Sequence, residues 1–169
     1  MTQAVFHLKK VVTGPLVVSL LRVSLGIVFI AASFDKIQDP EGFAQNIANY
    51  RLVPYPFIHI IAIVLPWLEI TTGSLLVLGV WTRANAVLTA GLLMVFIAAI
   101  SQALLRGLDI SCGCFDTNPA ADKMTRWTLC WNLIWLGWAV WVFFFDRGWY
   151  SIGDFAAKKY QRRRKHENP

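Results

Sequence analysis

The chain has 169 residues, of which 56% are hydrophobic and 15% charged, with a mean hydropathy of +0.51 and a formal net charge of +6. Its apolar residues fall in four long blocks rather than in amphipathic repeats, which excludes a soluble enzyme, a disordered chain and a small disulfide-stapled domain. The basic residues crowd into the C-terminal stretch Lys158, Lys159, Arg162, Arg163, Arg164 and Lys165 with no nucleic-acid recognition module beside them, so the charge points to anionic lipid headgroups and not to nucleic acid.

The expected architecture is an all-α membrane protein: a four-transmembrane-helix bundle over 14–146, preceded by a cytoplasmic N-terminus (1–13) and followed by a basic cytoplasmic tail (147–169). The first span runs from about Gly14 to Phe34. Lys9 and Lys10 before it and Ala31-Ala32-Ser33 at its end imitate a signal peptide, but its length and the internal Arg22 mark a retained span. In the loop 35–56, Asp39 suits an N-cap, Pro40 the first helical position, and Phe43, Ile47 and Tyr50 recur at helical spacing. This predicts a short amphipathic helix over the outer rim, either a plain connector or a lid, ended by Pro54 and Pro56.

The second span reads from Phe57 to about Leu78, with Pro66 expected to kink it and open a small cavity. Glu69, about twelve residues in from its outer end, and Arg22, about eight residues in from the opposite boundary of span one, come out at matching depths of roughly 12 Å. Opposite sign and matched depth predict an Arg22–Glu69 ion pair; the alternative makes Glu69 a proton carrier whose acidity Arg22 sets. Span three runs from Ala84 to Leu105. Near its outer end Gln102, together with Lys36 and with Asn132 of span four, lines a candidate outer pocket; the competing reading makes Lys36 and Asp35 interfacial markers and the two amides cross-helix hydrogen bonders.

The loop 106–126 contains Asp109-Ile-Ser-Cys-Gly-Cys-Phe-Asp116. Two thiols one residue apart close only a small, strained disulfide, for which Gly113 supplies backbone freedom, and such a bond is easily reduced. It removes little loop entropy, so it suits electron exchange better than stapling. A soft-metal site for Cu(I) or Zn and a passive turn are the other readings; a zinc site needs four ligands, and the outer loops add only His59. Span four runs from Trp127 to Phe145. Cys130 in its second turn is either a resolving thiol for Cys112 or Cys114, or a small apolar residue. Trp131, Trp135 and Trp138 share one face, for packing and lipid contact or for a quinone; Trp127 and Trp149 read as interfacial anchors.

Ten Lys and Arg fall on the side of the N-terminus, the turn 79–83 and the tail, against five in the loops 35–56 and 106–126. Both termini are therefore expected in the cytoplasm of a bacterium, with the chain in the inner membrane and the cysteine loop in the oxidising periplasm.

The segments Ala31-Ala-Ser-Phe-Asp-Lys-Ile37, Pro40 with Phe43, Asn49-Tyr-Arg-Leu-Val-Pro54, Leu65-Pro-Trp-Leu-Glu69 with Gly73, Arg83 and Cys112-Gly-Cys-Phe115 together resemble the DoxX-like membrane family, in the branch that includes the methylamine utilisation protein MauE. The resemblance covers about residues 16 to 145. It implies a four-helix membrane protein tied to redox chemistry or to maturation of exported proteins. It carries over Cys112, Gly113 and Cys114 as a redox signature, and Lys36, Glu69 and Arg83 as matching positions without a role.

The resulting expectation is a membrane thiol–disulfide exchanger. Cys112, Cys114 and Cys130 are its catalytic thiols, its partner is a periplasmic thioredoxin-like protein or an exported disulfide-containing client, and a quinone is its candidate cofactor. No metal ligands are assigned. The alternative is a non-catalytic membrane chaperone or anchor for maturation of an exported protein or oxidoreductase complex.

Overall fold

The computed structural model describes residues 13–108, 126–146 and 151. Among these residues five helices follow in order: α1 (Pro15–Gln38), α2 (Pro40–Asn49), α3 (Tyr55–Leu78), α4 (Thr82–Leu105) and α5 (Arg126–Phe145). Among the described residues α1, α3, α4 and α5 are long and apolar enough to cross a membrane, so the chain is an all-α, multi-pass membrane protein with a short amphipathic helix between its first two spans.

Sequence signals account for most of the boundaries. Pro15 and Pro40 stand in the first turn of α1 and α2, where a missing N–H costs nothing. Asp39 closes one helix and opens the next: its N–H donates to the Asp35 carbonyl at 3.0 Å, and its Oδ1 accepts from the Gly42 N–H at 2.9 Å. The first span extends to Gln38, past the predicted Phe34, because no helix-stopping residue precedes Asp39 and the Lys36 side chain finds a partner inside the bundle. At the other end of the molecule Gly79 takes φ +72, so its N–H and that of Val80 can satisfy the last carbonyls of α3. That left-handed residue makes the turn into α4 tight, and a Cβ there would also lie 2.7 Å from Ser151 Cβ.

Inside lipid, helices associate through close packing and polar contacts rather than through exclusion of water. The most extensive contact, between α1 and α3, is built on this rule: a Cβ on Gly26 would lie 2.7 Å from the Gly73 carbonyl oxygen, and one on Gly73 would lie 2.8 Å from that of Gly26. Leu25, Phe29, Leu76, Leu93 and Ala139 form a core to which all four spans contribute. Phe43 and Ala44 of α2 pack on Ile58 and Ala62 of α3. Beyond α2, Tyr50 reaches Ile100 and Ala103 of α4, beside Leu108 and Leu129. The short helix is thus a packed part of the bundle at the end opposite Gly79, called the α2 end below.

Pro66 is buried inside α3, and the helix runs through it although the ring removes the hydrogen bond to the Ala62 carbonyl. A cavity does open one turn along, at Glu69, but Pro66 is not in its lining.

Candidate functional site

Lys36 Nζ lies 2.7 Å from Oε1 and 2.8 Å from Oε2 of Glu69, and both side chains are about 2% exposed. The ammonium also stands 5.2 Å from the Phe43 ring centroid and 5.0 Å from that of Phe96. A lysine on α1 is therefore held by a carboxylate from α3 and by aromatic faces from α2 and α4.

The ion pair expected between Arg22 and Glu69 does not form. Arg22 instead donates from Nη1 to Oδ2 of Asp146 at 3.1 Å, with both side chains about 1% exposed, and Lys36 is buried rather than marking the water interface. The cause is the lean of helical side chains toward the N-terminus of their own helix. α1 and α3 run antiparallel with Gly26 opposite Gly73. From that crossing Arg22 lies roughly 6 Å toward the Gly79 end and Glu69 roughly 6 Å toward the α2 end, and their side chains diverge. Lys36 is only roughly 9 Å beyond Glu69 along the axis, and the two side chains lean toward each other. Asp146, directly after α5, is the partner that depth reasoning missed; its position at the boundary of the last span was the available signal.

The Lys36–Glu69 pair floors a cavity of about 390 Å³. Val28, Phe29 and Ala32 of α1 and Leu93 and Phe96 of α4 form part of its wall, and α5 completes it with Trp127, Thr128, Trp131, Asn132 and Trp135. Trp131 and Trp135 stack, with centroids 6.3 Å apart, while Trp138 continues the row outside the lining. Of the three residues assigned to an outer pocket, Lys36 and Asn132 do line the cavity. Gln102 is half-buried in the last turn of α4, outside it. Asn132 does not bond across helices through its amino group: Nδ2 donates to the Thr128 carbonyl one turn back at 2.9 Å.

Cys112, Cys114 and Trp149 lie outside the described residues. Cys130 is exposed, on the side of α5 turned away from the cavity-lining positions 128, 131, 132 and 135. His59 and Arg83 are exposed as well. Among the described residues no three His, Cys, Asp or Glu side chains converge as metal ligands would. Tyr50, packed where the loop meets α4, has its hydroxyl pushed above the ordinary tyrosine range by burial. Chemically, the cavity is an apolar, aromatic chamber lined also by one cation, one carboxylate, one amide and one threonine.

The family of the methylamine utilisation protein MauE matches the chain over residues 14–145. The MauE protein of Paracoccus denitrificans is 37% identical over 102 residues, 60% of this chain and 55% of the relative. Those of Methylorubrum extorquens and Methylophilus methylotrophus are 36% identical over 116 residues and 31% identical over 118, covering 68% and 69% of this chain and 61% and 62% of the relatives. The chain thus spans less than two thirds of the length of these relatives. No solved structure matches it. The matched region contains all four spans, the Lys36–Glu69 pair and the cavity, and the chain belongs to the MauE family.

Proposed function

We propose that this protein acts in methylamine utilisation as a membrane thiol–disulfide exchanger, through Cys112 and Cys114, on a periplasmic thioredoxin-like protein or an exported disulfide-containing client. The observation that carries this reading is the Cys-Gly-Cys sequence within the segment that joins α4 to α5, both of which contribute to the cavity wall. Both ends of that segment belong to one end of the bundle, where Leu108 and Leu129 share a cluster. The names of the relatives support the metabolic setting. The wider DoxX-like kinship belongs to the same proposal and rests on the quoted sequence segments.

The chemistry is reversible exchange. A thiolate of the pair attacks a disulfide sulfur of the partner, forming a mixed disulfide and releasing one partner thiolate; the second cysteine then attacks the mixed disulfide, so the partner leaves as a dithiol and the pair as a disulfide. Run backward, the same steps oxidise the partner. The setting is the bacterial inner membrane with both termini cytoplasmic. Burial of Lys36 within the bundle sharpens the supporting charge bias to ten basic residues against four in the loops of the α2 end.

Cys112→Ser and Cys114→Ser test this in a bacterium growing on methylamine that depends on the protein. Each variant is expected to abolish that growth, and one of the two to accumulate a mixed disulfide visible on a non-reducing gel. Full growth with both variants would overturn the exchanger and favour the non-catalytic anchor.

A further inference from the structure

We propose that the cavity between α1, α4 and α5 binds the ring of a lipid-soluble quinone, floored by Lys36 and Glu69. As an electron acceptor the ligand rests on the exchange reading above; as a bound ligand it rests on the cavity alone.

Four features select this class of molecule. The cavity lies within the apolar spans, and its lining is almost wholly hydrocarbon and aromatic, which rejects a free ionic solute. Phe29, Phe96, Trp131 and Trp135 line it with aromatic rings, the kind of wall a planar ring packs against. A volume of about 390 Å³ falls within the ordinary range of small-molecule sites, about 300–1,000 Å³. The polar groups then set what the ring carries. An ammonium has three N–H donors, two of them engaged by Glu69, which leaves one for a carbonyl oxygen. The Glu69 carboxylate accepts from a hydroxyl, and the Asn132 amide can do either. Donor and acceptor side by side suit a ring that alternates between carbonyl and hydroxyl. A phospholipid acyl chain has no use for such a floor.

The electron count agrees. Oxidation of the Cys112/Cys114 dithiol breaks two S–H bonds, forms one S–S bond and releases two electrons and two protons. A quinone takes up two electrons and two protons as its two carbonyls become hydroxyls, so no other oxidant is required. The Trp131–Trp135 face is then part of a ligand wall rather than packing alone.

The test uses purified protein in nanodiscs of defined phospholipid, titrated with a short-chain ubiquinone while tryptophan fluorescence is followed. Saturable quenching is expected in the wild type, and equally in Cys112→Ser/Cys114→Ser, which separates binding from exchange. Ala32→Phe, which fills the cavity, and Asn132→Leu, which removes a polar group at nearly constant size, should each weaken binding at least tenfold. Asn132→Leu alone decides if Ala32→Phe fails to fold. Quenching that only rises linearly, as partitioning into lipid would give, or saturable quenching untouched by the folded variants, would overturn the proposal. Specific binding without thiol exchange would overturn only the exchange reading.

Discussion

Glu69 is a carboxylate in the middle of a transmembrane helix, and Lys36 makes it tolerable by engaging both of its oxygens, at 2.7 and 2.8 Å. Removing one member of a buried pair strands the other, at a cost of about 3–5 kcal/mol, whereas replacing both by apolar groups is close to neutral. Lys36→Met should therefore destabilise the bundle by about that much, and Lys36→Met/Glu69→Leu should recover most of the loss, read as unfolding midpoints in a membrane mimic. A double variant as unstable as Lys36→Met would contradict this, showing that the loss does not come from a stranded Glu69 carboxylate. At this scale the sequence identified Arg22 and Glu69 as charges inside the membrane, but neither Lys36 nor Asp146 as their buried partners. Depth alone matched Arg22 with Glu69; the lean of side chains along antiparallel helices reassigns them to Asp146 and Lys36.

Each helix is set by a few positions that admit little substitution. At the α1–α3 crossing Gly26 and Gly73 bring backbone against backbone, so Gly26→Val should force the helices apart and destabilise by about 1–3 kcal/mol, whereas Gly91, with nothing within 4 Å of its Cβ position, should accept alanine without loss. Thermal unfolding of the two variants side by side checks this. Asp39→Ala should cost about 1 kcal/mol through the lost cap. It should also raise amide exchange in Pro40–Asn49 more than elsewhere, because the residue joins two helices. The existence and start of α2 were legible from Asp39, Pro40 and the spacing of Phe43 and Ile47, whereas its end comes at Asn49, well before Pro54 and Pro56, with Tyr50 outside the helix. Its role was not: periodicity identifies a buried face but not the neighbour that covers it, and the neighbours proved to be α3 and the Lys36 ammonium.

For the whole molecule, four apolar blocks and the prolines were enough to give the helices and their order along the chain from sequence. The cavity was legible only in part, since Lys36 and Asn132 could be placed near one end while Phe29, Phe96 and Ala32 look like ordinary apolar residues until helix rotation turns them inward. In the proposed function this chamber and the Cys112–Gly113–Cys114 segment act as one redox unit of a MauE-family membrane protein. That proposal requires the two thiols to interconvert with a labile disulfide outside the cytoplasm. The direct test labels intact cells with a membrane-impermeant maleimide, before and after mild reduction, and locates the label by mass spectrometry. Labelling of Cys112 and Cys114 only after reduction is the predicted result; full labelling without reduction, or none in either state, would contradict it.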